Sequence, residues 1–351
     1  MTGRFTMLGH GGLSTFEVRV QAGKLISAPA GRAICNLLVP GFVDLHIHGA
    51  FGFDFMSATR EQLLEMADKL SERGYEAFLP TTVSASAQDV RKAVENLPED
   101  DRMPGFHLEG PFISPQFPGA QPPGAISGIP KKSDKDWQAI LNDPRLKLIT
   151  MAPEVPGAVE LAQSFRDSSV RFSMGHTNAT FAEAKKGYES GFRQATHTFN
   201  AMRPFHHREA GALGFALGED AMWTEIIYDR KHVSKEAASL LFKLKPKERI
   251  LAVSDGTMAA GMPEGATFQM WGQSVRICDG AVYLDGSRTL AGSAITLLDA
   301  FQNIAKDFGP DAAIHACCLN PRASLGMREP PKVWVEFTPQ FEFVRAERIR
   351  T

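Results

Sequence analysis

The chain has 351 residues, 43% of them hydrophobic and 22% charged, with a formal net charge of −2. That length supports one large domain plus a small one, and no basic block or long apolar run points to a nucleic-acid or membrane partner. The start MTGRFTMLGHGG lacks a secretory h-region, and Cys35, Cys278, Cys317 and Cys318 lack CxxC spacing, so a cytoplasmic enzyme with reduced thiols is expected.

Residues 1–40 carry short β-prone runs separated by glycines (RFTML, TFEVRV, KLIS, ICNLLV). From residue 41 onward, β-rich runs alternate with helical patterns. The runs cover 42–48, 77–83, 103–109, 146–152, 170–176, 192–198, 223–229 and 249–255. In the helical segment EQLLEMADKLSERG, Leu63, Leu64, Ala67 and Leu70 recur on one stripe. DVRKAVENL, DKDWQAIL, GAVELAQSF, FAEAKKGYES and SKEAASLLFKL are further helix candidates. The Pro/Gly-rich stretch 114–130 follows the third run and is too long for a simple connection, which marks it as functional or disordered. TFQMWGQSVRICD and GAVYLD read as a hairpin after the eighth run, and KVWVEF and FEFVRAERI as late strands.

Eight strands alternating with helices predict a (β/α)8 TIM-type barrel over 41–320, in preference to an open doubly wound sheet. Both chain ends, 1–40 and 321–351, are expected to build a small β-sandwich domain, so the class is α/β.

The first run ends in GFVDLHIHG. His46 and His48 are two apart, so in a strand they and Asp44 would share one face. On these residues alone, a metal site and a pair of hydrogen-bonded histidines are equal readings. The other runs change the balance. Glu109 ends the third run, His176 the fifth, His197 the sixth and Asp255 the eighth. Barrel chemistry sits at the C-terminal ends of strands, and ten scattered histidines would rarely put four of them there. A divalent ion held by imidazole and carboxylate acidifies its water and polarises a carbonyl, and a neighbouring carboxylate can then carry the proton to a leaving amine. Asp255 is the candidate for that carboxylate; taken singly it would equally suit a turn.

The segments PGFVDLHIHG, HLEGPFISP, GHTNAT, THTFNAMRPFHHREAGALG, SDGT and LAGS, spread over 40–293, resemble those of the N-acetylglucosamine-6-phosphate deacetylases of the amidohydrolase superfamily. The resemblance implies the barrel, the composite β domain, and a main metal site of Glu109, His176 and His197. Strand four ends in TMAPE without a lysine, which suits the glutamate-bridged subgroup. His46 and His48 match the pair that completes a second site in some members, so one or two ions are expected: zinc first, with iron, manganese or cobalt as alternatives. Asp255 matches the general base and acid.

The same resemblance assigns substrate contacts to Ala120 and Gln121 of PGAQ, Asn200 and Ala201 of FNAM, His207 and Arg208 of HHREAG, His232 of DRKHV, and Leu290, Ala291 and Gly292. The equivalents of Arg208 and His232 reach a neighbouring subunit's substrate in the family, which implies a homodimer. Taken singly, Arg208 reads as a rim salt bridge and His232 as a helix-start histidine. Two positions depart from the family pattern. Gln121 stands where a histidine thought to polarise the acetyl carbonyl is usual, and Arg230 and Lys231 of DRKH add positive charge near the expected phosphate pocket. The implied reaction converts N-acetylglucosamine 6-phosphate to glucosamine 6-phosphate and acetate. Another N-acyl sugar phosphate, such as the galacto epimer, is the alternative substrate, and a non-catalytic oligomeric scaffold is the alternative class.

Overall fold

Eight parallel strands run through the chain: Phe42–Ile47, Tyr75–Pro80, Phe106–Glu109, Leu146–Met151, Arg171–Met174, Phe192–Ala195, Trp223–Ile227 and Ile250–Val253. The computed structural model describes residues 1–349 apart from Ala22 and Arg32. Each strand coincides with one of the eight runs but differs at its ends. Strands five, six and eight stop early because His176, His197 and Asp255 have φ of 47°, 30° and 46°, which no strand accommodates.

The last six strands form one parallel sheet in sequence order, and the first two pair with each other. Single parallel bridges, Thr81 to His107 and Ile47 to Gly256, connect the two sets on both sides. One face of the strands gathers Val43, Leu45, Ala77, Leu79, Leu148, Trp223, Ile227, Leu251 and Val253 into a core of its own. The opposite face packs against helices, including Arg60–Glu72, Ala87–Asn96, Phe181–Ser190 and Lys235–Leu244. Burial on both faces explains why these strands read as near-continuous apolar runs. Thr59 with Gln62, and Thr180 with Glu183, close capping boxes at two helix starts.

Asp44 does not share the face of His46 and His48. The pairing register shifts between Asp44 and Ile47, and the irregularity turns the two histidines to one side. The Asp44 carboxylate instead accepts from the backbone N–H groups of His46 and Ser254 and from the Tyr75 hydroxyl.

Strands from both chain ends, for which a small sandwich was expected, share one six-stranded sheet. Its order is Phe343–Arg348, Val333–Phe337, Leu37–Pro40, Thr2–Gly9, Gly12–Gln21, Lys24–Pro29. Leu37, Val39, Val333, Val335 and Phe337 join the main core, with Phe337 stacked on Phe301 of helix Leu297–Phe308 at 4.6 Å. Phe5, Met7, Val18 and Leu38 of the same sheet form a separate small core. The expected hairpin is a three-stranded antiparallel sheet, Thr267–Met270, Gln273–Cys278 and Ala281–Leu284. All four cysteines are free, and no helix among the described residues is long and apolar enough to cross a membrane.

Candidate metal centre and active site

Glu109 is the hub of the site. Its Oε1 lies 3.2 Å from Nε2 of both His176 and His197 and 3.3 Å from Nε2 of His46, while Oε2 lies 3.2 Å from Nε2 of His48. Two groups result, His46–His48–Glu109 and Glu109–His176–His197, each compact enough to hold one ion. Asp255 Oδ1 sits 3.4 Å from His46 Nε2 and 3.3 Å from His48 Nε2. The strand-end residues read from the sequence therefore converge.

The outer ring nitrogens decide what the inner ones can do. His48 Nδ1 faces the Thr81 carbonyl at 3.1 Å, His176 Nδ1 the Phe117 carbonyl at 3.1 Å, and His46 Nδ1 the Glu225 carboxylate at 3.3 Å. An acceptor at Nδ1 draws the ring proton there and leaves Nε2 a bare lone pair. Yet Nε2 of His46 and His48 are 3.3 Å apart, and those of His176 and His197 3.1 Å. Lone pairs at that separation repel unless a cation lies between them. Imidazole nitrogens with a bridging carboxylate are a donor set that zinc accepts.

A proton and a metal ion compete for those Nε2 lone pairs, and the surrounding carboxylates favour either positive charge. Burial works against a charged His46, yet Glu109 and Asp255 hold its pKa well above the imidazole range. His48 is pushed up to about 9 against the same burial, through Asp255 and Glu109. Burial disfavours ionised Glu109, but His46, His176 and His197 hold its pKa well below the carboxylate range. Asp255 is likewise lowered to about 2, with His46 and His48 outweighing burial. The site favours positive charge.

His48, Glu109, His176, His197 and Asp255 floor an open cavity of about 130 Å3. Ala120, Gln121, Asn200, Ala201, His232, Leu290 and Gly292 line it, as the resemblance implies, whereas Ala291 is buried outside the lining. The 114–130 stretch is functional in this sense, supplying Gly119, Ala120 and Gln121 to the wall and the Phe117 carbonyl to His176. His232, expected with Arg208 to reach a neighbour, lies in this chain's own cavity, its Nδ1 2.6 Å from Asp229 Oδ2. His207 and Arg208 are exposed outside it and contact each other at 3.0 Å. Arg230 and Lys231 do not charge the pocket: Arg230 pairs with Asp307 at 2.7 Å and Lys231 with Asp279 at 2.5 Å, and neither lines the cavity. Gln121 is bonded at both ends, its Oε1 accepting from the Ser84 N–H at 2.7 Å and its Nε2 donating to Glu109 Oε2 at 2.6 Å.

Three contributors were not foreseen. Trp271, at the turn of the three-stranded sheet, lines the cavity, packs edge-on against His48 at 5.1 Å and donates to Asp54. Only the tertiary placement of that sheet brings it there. Glu225 supports both His46 and the His197 N–H, and Ile227 lines the wall. A glutamate inside the apolar run WTEIIYD was the available signal for it, since a buried charge needs a partner.

The sequence profile of the amidohydrolase family matches residues 37–330. N-acetylglucosamine-6-phosphate deacetylase of Bacillus subtilis is 36% identical over 295 residues, covering 81% of this chain and 73% of that protein. N-acetylgalactosamine-6-phosphate deacetylase of Escherichia coli O157:H7 is 32% identical over 83% of this chain and 79% of its own. Among solved structures, N-acetylglucosamine-6-phosphate deacetylase from Thermotoga maritima superposes with a TM-score of 0.88 at 30% identity, over 98% of this chain and 96% of that one.

Proposed function

The chain belongs to the amidohydrolase family, and we propose that it hydrolyses the acetamide of N-acetylglucosamine 6-phosphate to glucosamine 6-phosphate and acetate. The observation that carries this reading is Glu109 shared between two histidine pairs, with Asp255 3.3 Å from His48 at the floor of one cavity. Glu109, His176 and His197 would hold one divalent ion, zinc being the natural choice, and His46 with His48 would hold a second through the same carboxylate. An ion held there would polarise the acetyl carbonyl and acidify a water.

The protein's own groups do the rest. Asp255 takes the proton of the attacking water and returns it to the departing nitrogen, a carboxylate kept ionised by the imidazoles beside it. His232 gives Nδ1–H to Asp229, which fixes its ring, and in the doubly protonated form its Nε2–H would donate to the sugar phosphate. Asn200, Ala201 and Leu290 shape the wall around the sugar. Exposed Arg208 serves a neighbouring copy in a homodimer, where its planar fork suits phosphate.

The bridges at Thr81–His107 and Ile47–Gly256 and the core shared by the first and eighth strands support closure of the eight strands into a (β/α)8 barrel over 41–320. The termini then form the small domain, and a cytoplasmic location suits the free thiols.

The test is acetate release by zinc-loaded protein from N-acetylglucosamine 6-phosphate, its galacto epimer and unphosphorylated N-acetylglucosamine. Turnover of the gluco phosphate at least tenfold above the other two is expected. Preference for the galacto compound would transfer the specificity to the substrate named for the Escherichia coli relative, and silence with all three would overturn the reading.

A further inference from the structure

We propose that Gln121 is a positioning residue for the bridging carboxylate of Glu109 and sets its grip on the metal, in place of polarising the substrate carbonyl. The inference rests on Glu109 as a metal ligand and is independent of which sugar the cavity takes.

The last torsion of a glutamate is broad and has little preference of its own. Something outside the side chain must therefore set the plane of the Glu109 carboxylate if Oε1 is to face His176 and His197 while Oε2 faces His48. Gln121 Nε2 does this at 2.6 Å, a short bond of the kind expected to an ionised acceptor. The other end of the amide is pinned, because Oε1 accepts from the Ser84 N–H at 2.7 Å. Only one orientation of the amide works. A flipped Gln121 would put its NH2 against the Ser84 N–H and its oxygen against the carboxylate.

The brace also spans a tight junction. Gly110, directly after Glu109, has φ of 66°, and a Cβ there would stand 2.1 Å from Ser84 Oγ. The segments after strands two and three are thus pressed together, and Gln121 crosses between them while only 4% exposed. Turning its amide toward a substrate carbonyl would give up both bonds inside a buried site.

The measurement is zinc affinity of wild type, Q121M and Q121N by competition with a chromophoric chelator, alongside the visible spectrum of the cobalt-loaded proteins. Methionine keeps the shape and loses both bonds, and asparagine keeps an amide too short to span them. The expected result is a 10- to 100-fold loss of zinc affinity in both variants, the range typical of partners that orient metal ligands, with an altered cobalt spectrum. Should Q121M fail to fold, Q121N carries the test alone. Zinc affinity within twofold of wild type would overturn the proposal, and a fall confined to kcat would return Gln121 to the role of carbonyl polariser. Because the zinc competition and the cobalt spectrum need no sugar, they read the proposal even if the substrate assignment fails.

Discussion

His48 Nδ1 lies 3.1 Å from the carbonyl oxygen of Thr81, and this contact determines which of its nitrogens can bind a cation. Thr81 follows the second strand, so a neighbouring strand's backbone sets the protonation of a ligand on the first. Phe117 does the same for His176. With Nδ1 of both rings facing a carbonyl, Nε2 is the nitrogen left for a cation, and an ion there would meet the Glu109 carboxylate as well.

Removing that ion should therefore cost stability. An ion bound only by the folded protein at 100 times its Kd contributes about 2.7 kcal/mol. For a chain of this size that corresponds to a fall in Tm of about 4 °C. Thermal melts with and without a chelator, followed by zinc add-back, measure it. An unchanged Tm would mean that no ion stabilises the fold.

Asp255→Asn should separate proton transfer from metal binding. Asparagine tolerates the left-handed backbone that Asp255 adopts at φ 46°, so the fold and zinc content should persist. Loss of the carboxylate removes a general acid and base, for which a fall in kcat of roughly 10²–10⁴ is expected. Retention of more than a tenth of wild-type kcat would assign the proton to another group.

The cavity and the exposed loop make different demands on the phosphate end. His232→Asn should raise KM for the phosphorylated substrate about tenfold or more, the scale of a lost bond to a charged group. Arg208→Ala should do the same only if a neighbouring copy receives the arginine. Mixing Arg208→Ala with the inactive Asp255→Asn protein tests this, since a shared site would regain one intact constellation. Failure to recover activity on mixing would confine each site to one chain.

The candidate ligands were legible in the sequence because each stands at a strand end, where strand periodicity and barrel logic both apply. Glu109, His176, His197 and Asp255 needed only the order of the runs. Asp44 was misplaced because a register irregularity after it is invisible to a period-two reading, and one shifted residue turns a side chain to the other face. Helix Gly211–Gly218 was passed over because GALGFALG is apolar all round and carries three glycines, so no stripe stands out. Trp271 and Gln121 show the other limit. Their roles come from where a turn and a long loop come to rest, which local sequence does not encode.

His176, His197 and Asp255 hold φ of 47°, 30° and 46°, a region that residues with a Cβ enter at a cost of order 1 kcal/mol or more. Half of the six chemical groups at this rim are thus seated where glycine would be more comfortable. A procedure that improved the chain by easing its backbone would pick these three positions early, replace them, and return a hardier protein with nothing left to hold a metal or move a proton. Here strain in the main chain and the chemistry of the rim fall on the same three residues.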